Sequence, residues 1–373
     1  MFRVRFRDRP GHRGRWRHGH ALREAAVTAT FVRNAWYAAC WAADLEPGAP
    51  LAKTILSEPV VLWRNANGDP VALEDRCCHR HLPLSLGKVA GDRIQCGYHG
   101  LEFDNSGCCV AVPGQSRVPP GAEIRSYPVR ERHAMIWIWC GDPACAEEDD
   151  IPDLPWLDHP DWTQTGGHIH MKADYRLLID NLLDLTHVSY IHKNTIAGDP
   201  KEALVPVKTT REGEAIRVER WMLGFTAPPM YNEARKFDGE VDRWQLIKWQ
   251  APSTVTLDIG CAEANTGAPE GDRSQGISMW SNHIITPETE TSTHYHWAFA
   301  RNYKLDDDNV SRVLAEGGLQ TFMEDVVILE RQQQALDEIG DRPVVDINID
   351  NAPMQFRNIL GDMIDAEQQV AAE

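Results

Sequence analysis

From Phe31 to Pro143 the apolar residues come in short runs bounded by turn residues, the pattern of strands. Pro59-Val-Val-Leu-Trp-Arg64 and Pro70-Val-Ala-Leu-Glu-Asp75 flank Asn67-Gly68 and read as a hairpin. Leu101-Glu-Phe103 and Cys108-Cys-Val-Ala-Val112, on either side of Asp104-Asn-Ser-Gly107, read as a second. Ala134-Met-Ile-Trp-Ile-Trp139 is a further strand, stopped by Gly141-Asp-Pro143, so this part predicts a small all-β domain. Ala144 to Pro155 is acidic and proline-bearing and reads as a solvated linker. Beyond it the period changes. Leu177 to His187 places Leu178, Leu182 and Leu185 at helical spacing, and Gln320 to Glu330 places Phe322, Val326 and Leu329 likewise.

Composition narrows the class. The 373 residues suffice for two cores, and a formal charge of -17 argues against nucleic acid as partner. No apolar run approaches the roughly 18 residues of a membrane span. Nine cysteines, some adjacent (Cys77-Cys78, Cys108-Cys109), do not form a disulfide framework and suit a reducing cytoplasm. Residues 1–28 are rich in arginine and histidine, lack a secretory core and read as a disordered extension.

Two sets of residues carry candidate chemistry. Cys77-Cys-His79-Arg-His81 and Cys96-Gly-Tyr-His99-Gly100 each offer one cysteine and one histidine, as Cys-x-His and Cys-x-x-His. Structural zinc usually takes like ligands from each knuckle, and it stands as the alternative. A [2Fe–2S] cluster with unequal irons takes two thiolates and two imidazoles, here Cys77, Cys96, His79 and His99. Cys78 and His81 read as packing or loop residues. In the second set, Asp180, Asp184 and His187 fall at i, i+4 and i+7, one stripe among leucines that is costly to bury unless paired or metal-bound. His192 lies about 140° further round a regular helix, so both histidines face one ion only where that helix widens or breaks; two unrelated histidines are the alternative. Two histidines and one carboxylate mark non-haem Fe(II) oxygen chemistry. Asp325 is the expected carboxylate, because it shares an apolar face with Phe322 and Leu329, whereas Glu324 is expected to face water. An ion pair of Asp325 with Arg331 or Arg312 is the competing reading.

With these motifs in place the chain resembles a Rieske non-haem iron oxygenase α subunit. Phe31-Val-Arg-Asn-Ala-Trp-Tyr37, Ile136-Trp-Ile-Trp-Cys-Gly-Asp-Pro143 and His283-Ile-Ile-Thr-Pro-Glu-Thr-Glu290 are similar to its single-subunit aromatic demethylase branch, the vanillate- and dicamba-demethylase-like proteins. The resemblance implies an α+β chain: a Rieske domain over 29–143, the linker over 144–155, and a helix-grip, START-like catalytic domain over 156–373. Trp244–Trp249, Val255–Ile259, Ile277–Trp280 and Thr293–Phe299 alternate enough to supply strands of its antiparallel sheet, wrapped around a long helix.

The implied function is the terminal oxygenase of a Rieske monooxygenase system, which uses O2 and two electrons to O-demethylate or N-dealkylate a small substituted aromatic. Ring cis-dihydroxylation is the alternative; an electron-transfer or ligand-binding protein would be of another class. The resemblance further implies a homotrimer in which Asp184 bridges His99 of one subunit to His187 of the next, with Asn181 beside the mononuclear iron. His283 is the implied pocket residue, with Trp280, Tyr295 and Trp297 as further candidates. A ferredoxin and/or an NAD(P)H-dependent reductase is the expected donor, docking near His79 and His99 on Arg76, Arg80, Lys88 and Arg93.

Overall fold

Eleven short strands build the first part of the chain, in a computed structural model that describes residues 30–193, 195–196, 200–228, 231–232, 235–340 and 342–372. The arginine-rich segment 1–28 lies outside the described residues. β1 (Trp36–Trp41), β11 (Met135–Trp139) and β10 (Val129–Arg132) form one sheet. β2 (Leu51–Ile55), β3 (Glu58–Arg64), β4 (Pro70–Glu74) and β9 (Ser126–Tyr127) form a second. β5 (Lys88–Ala90), β6 (Arg93–Gln95), β7 (Glu102–Asp104) and β8 (Cys109–Ala111) form a third, and the two Cys/His loops enter and interrupt it. Both expected hairpins are present. In the second, Gly107 takes φ +84°, and a Cβ there would lie 2.2 Å from the Ile124 carbonyl oxygen.

The acidic segment is not the free linker its charges suggest. It forms three single 3-10 turns (Pro143–Cys145, Glu148–Asp150, Pro155–Leu157). Its apolar members Ile151, Leu154 and Leu157 are buried between Trp36, Trp41 and Trp139 on one side and Ile284, Ala298 and Ala300 on the other. Each such side chain contributes about 1.5–3 kcal/mol by leaving water, so the segment straps the two halves together while its carboxylates stay outside.

The second part is a seven-stranded antiparallel sheet. Its strands are β12 (Thr163–Met171), β13 (Lys208–Glu212), β14 (Ala215–Phe225), β15 (Val241–Gln250), β16 (Thr254–Glu263), β17 (Gly276–Thr289) and β18 (Ser292–Arg301), in the order 12-18-17-16-15-14-13. The four expected strands fall within β15 to β18; β12 to β14 are additions. Helices described beside the sheet are α1 (Tyr175–Leu183), α2 (Val188–Ile191), α3 (Asp308–Ile339) and α4 (Asn351–Ala372). Asp307 caps α3 through Val310 N (3.1 Å), and Gly340 ends it at φ +67°. The helix buries Leu314, Phe322, Val326 and Leu329 against the sheet's inner face. The two halves also share backbone contacts: Leu56 N and Ser57 N donate to Pro287 O (2.9 Å) and Glu288 O (2.8 Å), and Thr286 Oγ1 donates to Ala38 O (2.8 Å). No helix among the described residues is long and apolar enough to cross a membrane.

Two adjacent glycines in α3 test this packing in opposite directions. A Cβ on Gly318 would lie 2.5 Å from Phe299 Cε2, whereas one on Gly317 meets nothing within 4 Å. Gly317→Ala should therefore raise stability by about 0.5–1 kcal/mol through helix propensity. Gly318→Ala should lower it by about 1–3 kcal/mol through overpacking. Denaturant unfolding of the two variants checks the pair; equal effects would mean that α3 does not approach the sheet this closely.

Candidate functional site

The two Cys/His loops are built alike. Cys77 N donates to Leu82 O (2.9 Å) and Cys77 O accepts from His81 N (2.9 Å); Cys96 repeats both bonds with Leu101 O (2.8 Å) and Gly100 N (3.1 Å). His81 and Gly100 thus occupy the same place, and both are left-handed, at φ +59° and +74°. His81 is a turn residue that departs from the glycine such a turn favours. The backbones approach closely: a Cβ on Gly97 would sit 2.8 Å from Leu86 O, and one on Gly87 2.0 Å from Gln95 O. Asp75 fastens the first loop through Ser85 N (2.7 Å) and Ser85 Oγ (2.6 Å).

The structure brings the four expected cluster residues to one end of the third sheet. Cys77 and Cys96 are 2% and 3% exposed, while His79 and His99 face solvent with ring centroids 4.6 Å apart. Burial pushes the Cys77 thiol up to about 11, so a thiolate there requires a cation. Sulfur inside and imidazole outside is the donor set of a [2Fe–2S] centre with one buried and one outward iron. Arg76 pairs with Glu74 and Arg93 with Glu102, which removes them from the expected basic patch. Arg80 and Lys88 are exposed and make no ion pair among the described residues.

The second centre differs from its expected construction in three ways. First, Asp180, Asp184 and His187 do not share one helix: α1 ends at Leu183, and Asp180 is held by Arg357 of α4 (2.9 Å). Second, the break falls before His187, not between the histidines. His187 keeps α geometry (φ -59°, ψ -30°) at the start of α2, and His192 unwinds at its end (φ -94°, ψ 31°). A single turn therefore separates them, with rings 5.2 Å apart. Third, Glu324 does not simply face water: its Oε2 accepts from His192 Nδ1 (2.8 Å) and Thr195 Oγ1 (2.8 Å).

With these bonds the ligand atoms converge. His187 Nδ1 is held by the Asp184 carbonyl and His192 Nδ1 by Glu324, so each ring offers its Nε2. These lie 3.7 and 3.2 Å from Asp325 Oδ1, and ligand atoms of all three residues fall within 4.8 Å of one another. Asn181 Nδ2 donates to Asp325 Oδ1 (3.3 Å), and Asn181 Oδ1 is buried without a partner among the described residues. Arg312 and Arg331, the competing partners for Asp325, bond to Glu316 and Gln334 instead. Burial holds His187 below the usual imidazole range, against the pull of Asp325. At His192 burial also opposes the cation, but Asp325 and Glu324 outweigh it and raise the pKa. Two neutral-capable imidazoles and one buried carboxylate fit a divalent cation such as Fe(II).

The triad sits at the edge of a cavity between α3, the stretch from Leu182 to His192 with Ile196, and the inner sheet face. His283 lines it and is fully buried, held by the Tyr295 hydroxyl at Nδ1 and by Ser281 Oγ (3.0 Å) at Nε2. Burial lowers its pKa to about 3, so it is neutral. Trp280, Tyr295 and Trp297 do not line the cavity: Trp280 stacks on Trp156, and the other two pack against Phe322. Sequence reasoning missed Ser281, Arg243 and Gln245, which do line it. Arg243 and Gln245 stand on the same face of β15 as the apolar Val241, Ile247 and Trp249, and that polar interruption is the available signal.

Known proteins agree with this layout. The Rieske [2Fe–2S] domain family matches residues 35–128, and the vanillate O-demethylase oxygenase C-terminal domain family matches 171–366. The iron–sulfur subunit of the toluene-4-sulfonate monooxygenase system of Comamonas testosteroni is 42% identical over 341 residues, spanning 90% of this chain and 98% of that protein. The vanillate O-demethylase oxygenase subunit of Pseudomonas sp. (strain HR199 / DSM 7063) is 38% identical, spanning 91% and 97%. A crystal structure of dicamba monooxygenase with non-heme iron and dicamba superimposes with TM-score 0.79 at 33% identity, covering 91% of this chain and 99% of that one.

The bond from Glu324 to His192 makes a direct prediction. Glu324→Ala should fold and bind iron about 10–100-fold more weakly at the triad. Iron retained against a chelator measures this, with the exposed Glu316→Ala as control. Equal retention in the two variants would mean that Glu324 does not orient His192.

Proposed function

The chain belongs to the Rieske non-haem iron oxygenases, in the branch that carries the vanillate O-demethylase C-terminal domain, and from that premise we propose that it removes an alkyl group oxidatively from a substituted aromatic. It is the oxygenase component of a multi-component system, with a Rieske cluster and a mononuclear iron. The reaction we assign is O-demethylation or N-dealkylation, in which O2, two electrons and two protons convert an aryl methyl ether to a phenol, formaldehyde and water. The convergence of His187, His192 and Asp325 at one edge of a largely apolar cavity carries this reading.

In our reading Cys77, Cys96, His79 and His99 hold the cluster, and His187, His192 and Asp325 hold the iron. Bound there, the cluster supplies single electrons and the ferrous ion supplies the place where O2 is reduced. The chain's own contribution is orientation and exclusion of water. Asp184 and Glu324 fix the tautomers of His187 and His192 through their Nδ1 atoms. Leu182, Leu185, Val188 and Phe322 keep the cavity beside them apolar. His283, held neutral between Tyr295 and Ser281, passes hydrogen-bond polarity to the Ser281 hydroxyl without adding charge. Residues 29–143 act as the electron-receiving domain, 144–155 as the strap and 156–373 as the catalytic domain. Nine cysteines, none of them in a disulfide, support a reducing, cytoplasmic setting.

The exposed surface supports a homotrimer with electron transfer between subunits. Tyr98, next to His99, is 61% exposed, and Tyr190, near His187, is 69% exposed. On the outer side of α3, Leu319, Met323, Val327 and Ile328 are exposed as well. Asp184 spends Oδ1 on Thr186 N (2.7 Å) and Thr186 Oγ1 (2.6 Å), while Oδ2 has no partner among the described residues. We assign Oδ2 to His99 of a second copy, and the exposed faces to the contacts that bring the copies together. The outward His79 with Arg80 and Lys88 is left for an acidic ferredoxin or a reductase.

Two experiments test these assignments. Enzyme reconstituted anaerobically to about three irons per chain, with a surrogate reductase, should release aldehyde from a methoxy- or N-alkyl-aromatic panel in step with O2 uptake. Cis-diol products would instead support ring dihydroxylation. Separately, Cys96→Ser and Asp325→Ala chains should each be inactive alone but active when co-assembled, in a particle with the mass of three 42.1 kDa chains. Inactive mixed particles would refute transfer between subunits.

A further inference from the structure

Strand β15 interrupts its apolar inner face with Arg243 and Gln245, and both line the cavity that the metal triad borders. They are 3% and 4% exposed. Arg243 gives Nη1 to Glu202 Oε1 (2.9 Å) and makes a long contact from Nη2 to Ile196 O (3.5 Å). Its Nε is buried without a partner among the described residues. On the neighbouring strand, in register with Gln245, sits the wholly buried Arg220. Its Nε (2.8 Å) and Nη2 both donate to Gln245 Oε1, and its Nη1 donates to Leu185 O (3.0 Å).

Two consequences follow. With Oε1 held by a guanidinium, the orientation of the Gln245 amide is assigned, and its N–H₂ group is the end left for the cavity. The cavity wall here is also cationic. Burial, then the neighbouring Arg243, push Arg220 down to about 10, which still leaves it protonated at neutral pH. Among the described residues the two guanidiniums share one wholly buried carboxylate, Glu202, and the half-buried Asp184 also acts on Arg220. Asp242, next in the chain, is committed to Gly224 N (3.0 Å) and Asn265 N (2.9 Å).

We propose that Arg243 and Gln245 form a subsite for an anionic ring substituent of the substrate, a sulfonate or a carboxylate, and that Arg220 is a positioning residue that holds the Gln245 amide toward it. A carboxylate or a sulfonate accepts both from a guanidinium edge and from an amide N–H, and its negative charge suits this cationic wall. The inference rests on the aromatic-oxygenase reading above and adds which aromatics enter. It also predicts where selectivity lies: at β15, away from the metal ligands.

The test is binding, without turnover. Full-length protein carrying both metal centres, with no reductant, is titrated calorimetrically with 4-methylbenzenesulfonate and 4-methoxybenzoate and with their neutral amides. Wild type should bind at least one anion about tenfold or more tighter than its amide, the range expected of a charge-assisted hydrogen bond. Gln245→Glu keeps an acceptor for Arg220 and so should fold; it should lose that preference and leave amide binding within about twofold. Arg243→Gln combined with Glu202→Gln removes one cation together with its carboxylate partner and should do the same, whereas Arg243→Lys should retain part of the preference. Which of the two anions binds tighter distinguishes sulfonate from carboxylate. Amides that bind wild type as tightly as the anions would overturn the subsite alone, as would variants that weaken both ligand types equally or neither. If none of the four probes binds, the aromatic reading falls and the subsite with it.

Discussion

A carboxylate buried on the apolar face of a long helix sets the terms for the rest of this molecule. Asp325 is 4% exposed among Phe322, Val326 and Leu329. A lone carboxylate there would cost several kcal/mol or stay protonated. It is tolerable because two imidazole nitrogens and an amide converge on it, and a divalent cation joining the set supplies the positive charge that the carboxylate lacks. That need explains much of the surrounding structure. Helix α1 must stop at Leu183 so that the chain can turn both histidines inward. Asp184 and Glu324 must take the Nδ1 protons so that the Nε2 lone pairs are free. Glycine at 318 lets α3 lie close enough to the sheet to bring Asp325 in.

The two centres solve opposite problems with similar ligands. The cluster loops must stay near the surface, because electrons arrive from another protein. They therefore bury sulfur and expose imidazole, and their rigidity comes from backbone bonds repeated in two tight turns. The triad must be dry, because its chemistry competes with water. It therefore buries His192 and Asp325, leaves His187 only partly exposed, and takes its rigidity from side chains on three segments. The acidic strap reconciles the two, since its apolar residues bridge the first sheet and the catalytic sheet while its charges remain in solvent.

Within the cavity the apolar and polar walls have separate tasks. Leucines, valine and phenylalanine near the triad hold a ring without directing it. The polar groups lie on the sheet, where strand alternation fixes their direction: Ser281 and His283 on β17, Arg243 and Gln245 on β15. His283 is neutral through burial and Arg243 brings a guanidinium paired with Glu202, so the cavity has one uncharged and one ionic polar region. Such an arrangement orients a substrate by charge and leaves its alkyl substituent free to be presented elsewhere.

The local patterns in the chain determined a good deal. Cysteine and histidine spacing marks both loops because those residues are close in sequence, and tight turns leave them few ways to point. The hairpins at Asn67-Gly68 and Asp104–Gly107 were legible for the same reason. Helical periodicity puts Asp325 rather than Glu324 on the core side, and the folded helix buries it there. Periodicity could not reveal that Glu324, one residue round, also meets a histidine 132 positions away in the chain. Nor could it show that α1 ends before Asp184, because leucine spacing continues through the break and only packing against α4 and the sheet stops the helix. Only the folded sheet decided the buried pairing of Arg220, Gln245, Arg243 and Glu202. Their charges look like surface residues in one dimension, and long-range strand register, which local sequence does not encode, is what puts them inside.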